Sequence, residues 1–249
     1  MNEGRGRTRD LATLKFFFGT MGSGKSTQAL QIRHNLSSGG LRVLLTTQLD
    51  RQQGRVSSRL GVSAEAQMVT PETNLFDLAR DHQRDHGLDA MVCDEAQFYS
   101  PEQIEQLAMA VDLLGVDVYA FGLLTSFQGE LFPGAARLLE LADERSEVQV
   151  EARCFCGRRA THNARLVDGR QVYAGDLLVV DGGDQGTPSV TYELRCRLHW
   201  HEAKWESEGV QLQLAVDYDA NNALVNTPIQ PDRAEPASAD AAATTETQP

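Results

Sequence analysis

Apolar positions in the first 150 residues fall into short runs separated by longer stretches with helical spacing. The run Leu14 to Phe18 predicts a strand, and Ser26 to about Leu36 predicts a helix stopped by the Gly39-Gly40 pair. Arg42 to Thr46 reads as a second strand, followed by the polar stretch QLDRQQGRVSSRLG, which has little periodicity. Phe76 to Asp85 reads as a helix and Ala90 to Cys93 as a short strand that ends at Asp94-Glu95. Pro101 stands near a helix start, and Ile104, Leu107, Ala108 and Val111 keep helical spacing over Glu102 to Leu114. Val116 to Gly122 is a further strand and Ala135 to Leu141 a further helix. Strands alternating with helices imply right-handed crossovers and a mainly parallel sheet flanked by helices.

This α/β unit is expected over residues 12–150, after a polar, Gly/Arg-rich arm at 1–11 that is expected to be disordered. The pattern changes near Glu151, where cysteines, paired arginines and strand-like alternation (Gln171 to Val180, Val190 to Arg195) predict a small β-rich lobe over 151–205. From 206 to 249 the chain turns acidic and rich in Ala, Thr and Pro, and is expected to stay mostly disordered for want of apolar surface.

Charge sharpens this picture. The chain carries a net charge of −12, but nine acidic and two basic side chains lie from His201 onward, so much of the acidity belongs to the tail. A broad nucleic-acid grip needs a basic face, and none is visible. No apolar run approaches the roughly 20 residues that span a bilayer. The expected location is cytoplasmic. Cys93 sits inside an apolar strand and reads as a small buried hydrophobe, whereas Cys154, Cys156 and Cys196 cluster with His199.

The segment between the first strand and first helix carries the chemistry. Gly19 to Ser26 fits G-x-x-x-x-G-K-[ST], with the strand before and the helix after that such a loop requires. Glycines let the backbone point its N–H groups at phosphate oxygens, and the helix adds the positive end of its dipole. Residues Gly19, Thr20, Met21, Gly22, Ser23, Gly24, Lys25, Ser26 and Thr27 are therefore expected to bind ATP, Lys25 on the β- and γ-phosphates and Ser26 on Mg²⁺. Asp94 and Glu95 end a strand at the sheet edge where ligands bind. Asp94 fits a second Mg²⁺ anchor, which leaves Glu95 as a general base or a water-polarising group. Cys154, Cys156, Cys196 and His199 form C-x-C … C-x-x-H, a donor set suited to closed, structural Zn²⁺. Arg153 stands where the commoner C-x-x-C would begin, and free thiols or a site completed by His162 or His201 are the alternatives.

Taken in order, GTMGSGKST, DEAQFY, GLLTSFQGELFPG, the cysteine pair and CRLHW resemble the type II thymidine kinase family over about Leu14 to Trp200. The resemblance implies a P-loop α/β fold with a zinc-ribbon lobe, and transfer of the ATP γ-phosphoryl to the 5′-hydroxyl of thymidine with Mg²⁺. It implies Glu95 as the catalytic base, with Arg51 contacting phosphates from a flexible loop. Asp94 is implied as the Mg²⁺ anchor and Gln97 as a further residue of the nucleotide and substrate pocket. Phe98, Phe127 and Tyr192 are implied around the nucleoside, and Cys154, Cys156, Cys196 and His199 around structural zinc. A homotetramer and feedback inhibition by dTTP are further implications. Two positions depart from the family pattern: Leu49 two before Arg51, and Leu124 in GLLTSF, both often acidic. Substrate-side hydrogen bonding is expected to differ there. An ATPase switch shares the phosphate loop and acidic pair but not the aromatic pocket. A zinc-ribbon nucleic-acid binder conflicts with the overall acidity.

Overall fold

The computed structural model describes residues 12–48, 55–58, 61–148, 151–177 and 189–207. The expected disordered arm and nearly all of the expected acidic tail lie outside the described residues, as do Leu49, Asp50 and Arg51. The chain runs through β1 (Leu14–Phe18), α1 (Lys25–Ser38), β2 (Val43–Thr47), a small antiparallel hairpin of β3 (Arg55–Ser57) and β4 (Ser63–Glu65), and β5 (Gln67–Met68). It continues through α2 (Leu75–His86), β6 (Ala90–Asp94), α3 (Pro101–Met109), β7 (Asp117–Gly122), α4 (Pro133–Leu141) and β8 (Glu144–Glu147). Six strands pair in the order β5-β2-β6-β7-β1-β8, and every neighbouring pair is parallel. The C-terminal ends of β1, β6 and β7 therefore share one edge, which gathers the phosphate loop, Asp94-Glu95 and Leu123.

Side-chain alternation in the strands gives the sheet two cores. Leu14 and Phe16 of β1, with Met91 and Cys93 of β6, pack on one face against Leu75 and Ala79 of α2, Ile104 and Leu107 of α3, and Leu138 of α4. Phe17 turns the other way and stacks on Phe121 at 4.8 Å, while Val92 joins Ala29 and Leu30 of α1. β6 is buried along its whole length, which explains its unbroken apolar run.

Local chemistry sets the helix ends. Asn74 caps α2 by accepting from the Asp77 N–H at 2.9 Å. Ser100 and Gln103 form a reciprocal capping box on α3, with Pro101 in the first turn. The Gln103 amide also donates to the Thr70 and Thr73 carbonyls, tying down the loop that feeds α2. The helix expected to Leu114 gives way at Met109 to a π-helical turn over Ala110–Leu114, closed by Gly115 in the left-handed region. α4 starts at Pro133. A Cβ on Gly134 would stand 2.4 Å from the Tyr99 carbonyl, so glycine is what lets α4 press against the turn after β6.

A second, antiparallel sheet of order β10-β9-β11 builds the small lobe from β9 (His162–Val167), β10 (Arg170–Val172) and β11 (Val190–Arg195), and α5 (Arg197–Ser207) follows. Ala164 and Leu166, on one side of β9, pack on Trp200 of α5. β11 has the bounds its alternation predicts. The strand expected from Gln171 onward pairs only through Val172 among the described residues. No helix among the described residues is long and apolar enough to cross a membrane.

Candidate active site

The phosphate loop turns on glycines. Gly22 and Gly24 take φ of 73° and 85°, left-handed values that other residues adopt at a cost, and Gly24 immediately precedes α1. Gly19 is excluded from carrying a side chain in another way: a Cβ there would lie 2.6 Å from Ser23 Oγ and 2.7 Å from the Val148 carbonyl. Lys25 Nζ donates to the Gly19 and Thr20 carbonyls at 3.1 and 2.8 Å, keeping its ammonium over the loop. Thr27 follows in the first turn of α1.

Across β7 from this loop, the end of β6 places Asp94 in the interior, 4 % exposed. Burial and the neighbouring Glu95 charge push its carboxyl up to about 7, against hydrogen bonds from Ser26 and the Glu95 backbone and the attraction of Lys25. The Ser26 hydroxyl and Asp94 carboxylate thus meet, bringing together the two oxygen donors expected to hold Mg²⁺. A buried carboxylate disfavoured as an anion, beside a hydroxyl, is a donor set that a hard divalent cation fits.

Glu95 has φ of 55°, which among the described non-glycine residues only Asp168 approaches. Such a backbone state costs of order 1–3 kcal/mol and persists where surrounding structure enforces it. The enforcement is visible. Gln97, 1 % exposed, donates from Nε2 to Glu95 Oε2 at 2.6 Å and accepts at Oε1 from the Leu123 N–H at 3.0 Å. Gly122 leaves the room, since a Cβ there would stand 2.7 Å from Gln97 Oε1. Gln97 was expected as a pocket residue, and its observed contacts aim the Glu95 carboxylate.

Of the aromatic candidates, Phe98 lies edge-on to Phe132 at 5.4 Å. Phe127 is 4 % exposed, with the Arg165 guanidinium 3.6 Å above its ring. Tyr192, 38 % exposed, accepts from Arg165 Nε at 2.9 Å. Trp200 closes the far side: its Nε1 donates to the Phe127 carbonyl at 3.2 Å, and the 129 position is glycine because a Cβ would lie 2.5 Å from the indole. Asn163 accepts from the Met21 N–H of the phosphate loop at 2.9 Å. Asn163, Arg165 and Trp200 were not singled out from sequence. The available signal was two polar residues at alternate positions in HNARLV, which reads as a solvated face until a second body covers it.

Cys154, Cys156, Cys196 and His199 converge, their donor atoms all within 4.8 Å of one another. Sγ of Cys154 and Cys196 lie 3.3 and 3.5 Å from His199 Nδ1, and Cys156 Sγ lies 3.9 Å from Cys196 Sγ. A tetrahedral zinc with ordinary bond lengths has S···S edges of about 3.8 Å and S···N edges of about 3.5 Å, so the set fits. Burial raises the Cys154 thiol, but the backbone N–H groups of Cys156 and Cys196 and the His199 ring outweigh it and bring it to about 6. Glu202 stands 3.8 Å from His199 Nε2, beyond hydrogen-bond reach. His162 is not in the set; it stacks on Trp200 at 5.0 Å. Gly157, with φ of 82°, makes the turn that lets the C-x-C spacing supply two donors. We expect a zinc-to-chain ratio near unity by elemental analysis, and a melting temperature lowered by roughly 5 °C or more on thiol-competitive chelation. A chain that purifies without metal and ignores the chelator would remove zinc from this site.

A sheet edge that gathers a phosphate loop and a strand-end carboxylate pair defines the class of phosphate-loop nucleotide-binding proteins. Within that class, the chain belongs to the thymidine kinase family, whose model matches residues 12–200. It is 50 % identical over 188 residues to the thymidine kinases of Streptomyces avermitilis and Streptomyces coelicolor, covering 75 % of this chain and 87 % of each of theirs. It is 43 % identical over 197 residues to that of Ruegeria pomeroyi, covering 78 % of this chain and 96 % of that one.

Proposed function

We propose that this chain transfers the γ-phosphoryl group of ATP to the 5′-hydroxyl of thymidine, giving ADP and dTMP. The observation that carries the reading is the placement of Glu95: a carboxylate aimed by Gln97 at the same sheet edge as the phosphate loop. The 5′-oxygen attacks the γ-phosphorus, the bond from that phosphorus to the β–γ bridging oxygen breaks, and Glu95 takes the hydroxyl proton. The loop residues Gly19 to Thr27 cradle the phosphates, and Lys25 swings from the Gly19 and Thr20 carbonyls onto the charge that develops on ADP. Ser26 and Asp94 would hold Mg²⁺, which would neutralise phosphate charge. Arg51, outside the described residues, adds a second cation to the transferring group. A cavity of about 400 Å³ lies beside Thr20 and Ser23, with the paired Arg159–Glu147 and Arg153–Glu151 side chains in its lining.

On the acceptor side, Phe98, Phe127 and Tyr192 surround the nucleoside, with apolar and edge contacts suited to a thymine ring. The zinc set has no open coordination position and holds the lobe without taking part in the reaction. Residues 12–150 form the nucleotide domain and 151–205 the lid lobe. Feedback inhibition by dTTP is consistent with a product-pathway nucleotide that offers both the base and the triphosphate the two half-sites take. A homotetramer and a cytoplasmic location complete the reading. The test is ADP release from ATP and Mg²⁺ with and without thymidine. Turnover that rises only with thymidine supports the reading, and turnover indifferent to every nucleoside moves the chain to the ATPases.

A further inference from the structure

One strand of the lobe touches both halves of the site. Asn163 and Arg165 are two apart on β9, so they project to the same side, opposite Ala164 and Leu166, which pack on Trp200. Asn163, buried, accepts the Met21 N–H of the phosphate loop. Arg165, 2 % exposed, lies over Phe127 and opposite Tyr192 across the β9–β11 ladder. Its other donors reach backbone carbonyls after β10: Nη1 to Asp176 at 2.5 Å and Nη2 to Leu177 at 3.0 Å. All the acceptors Arg165 has among the described residues are thus neutral: one phenol oxygen and two carbonyls. A buried guanidinium held this way is costly as a mere space-filler, yet its rigid planar fork joins a ring, a phenol and a loop in one geometry.

We propose that β9 carries two positioning residues, one for each substrate: Asn163 fixes the phosphate loop for ATP, and Arg165 fixes Phe127, Tyr192 and the 176–177 backbone for the nucleoside. The proposal rests on the thymidine kinase reading above and goes beyond it in making the lobe a tie between donor and acceptor sites. Asn163→Ala leaves the Met21 N–H unpaired and loosens the loop. Arg165→Lys keeps the charge but cannot stack and fork at once. Tyr192→Phe removes only the hydroxyl that Arg165 holds.

The experiment is steady-state kinetics on the full chain, with direct titration of ATP and of thymidine. Zinc content and melting temperature of each variant serve as folding controls. Asn163→Ala is expected to raise the KM for ATP by roughly three- to tenfold with that for thymidine within about twofold. Arg165→Lys is expected to do the reverse, raising the thymidine KM by about tenfold, and Tyr192→Phe to follow it in the same direction, the two being non-additive when combined. If Arg165→Lys does not fold, Tyr192→Phe and Asn163→Ala alone carry the contrast. Equal changes in both constants, an Asn163→Ala effect on thymidine alone, or a thymidine KM unmoved by Arg165→Lys or, where that variant does not fold, by Tyr192→Phe overturns the proposal. Wild type that ignores thymidine overturns the kinase reading instead, and the ATP titration of Asn163→Ala still decides the donor half of the tie.

Discussion

Replacing Glu95 by Gln is expected to lower thymidine-dependent ADP release by about 10²- to 10⁴-fold, the range that a positioned general base supplies. The exchange is nearly isosteric. The amide oxygen still accepts from Gln97 Nε2, and Gln97 keeps its own anchor on the Leu123 N–H. The left-handed backbone at position 95 lies in the packed turn between β6 and α3, where Gly134 closely approaches the Ala96, Gln97 and Tyr99 carbonyls, and the Gln97 hydrogen bond that holds it is one a glutamine side chain can also accept. The variant should therefore fold and bind ATP normally, because phosphate contacts come from a different loop. Only proton removal from the acceptor hydroxyl is lost. Rate measurement at saturating ATP and thymidine, with ATP affinity determined separately by titration, isolates that step. A fall of less than tenfold with unchanged affinity would falsify Glu95 as the base.

The phosphate-loop half of this site is legible in the sequence because its grammar is local. A strand, a glycine loop and a helix follow one another within 25 residues, and Asp94-Glu95 closes a run whose apolar character is unbroken because β6 is covered on both faces. The half around Phe127 and Tyr192 was legible only in part, because its contacts are long-range and polar. The alternation in β9 reads as a solvated face, because Asn163 and Arg165 belong inside only once the phosphate loop and Phe127 are there to receive them. β8 was missed for the opposite reason: all four residues of ERSE are exposed at the sheet edge, and the strand is held by main-chain pairing with β1. Among the described residues, the strand expected from Gln171 pairs only through Val172, and a few residues on, the Asp176 and Leu177 carbonyls are taken by the Arg165 guanidinium. Binary patterning does not record a buried cation that organises backbone.

Asp94→Asn is expected to abolish activity while making the protein more stable at pH 8 in the absence of divalent cations. The carboxyl titrates near 7 in the folded chain because burial and the Glu95 charge disfavour its anion, whereas in the unfolded chain it titrates near its ordinary 3.8. Between those values the folded state holds the extra proton, so stability falls as pH rises from 3.8 to 7, and the full cost is present above 7. That cost is on the order of a few kcal/mol, and it is already net of the hydrogen bond that Ser26 gives the carboxylate. It predicts a melting temperature higher by roughly 5 °C or more at pH 8, a difference that shrinks toward pH 4. Mg²⁺ with ATP should narrow the gap from the other side, since a cation between Ser26 and Asp94 gives the buried anion its partner in the wild type alone. Activity in the variant should drop by at least about 10²-fold, because the amide cannot match a carboxylate as a ligand for a hard cation. A variant less stable than wild type at pH 8 would mean that Asp94 is held by its hydrogen bonds more than it is strained by burial. A stabilised but fully active variant would place the metal elsewhere. The combination of gained stability and lost turnover is what identifies a carboxylate kept in an unfavourable place for its function.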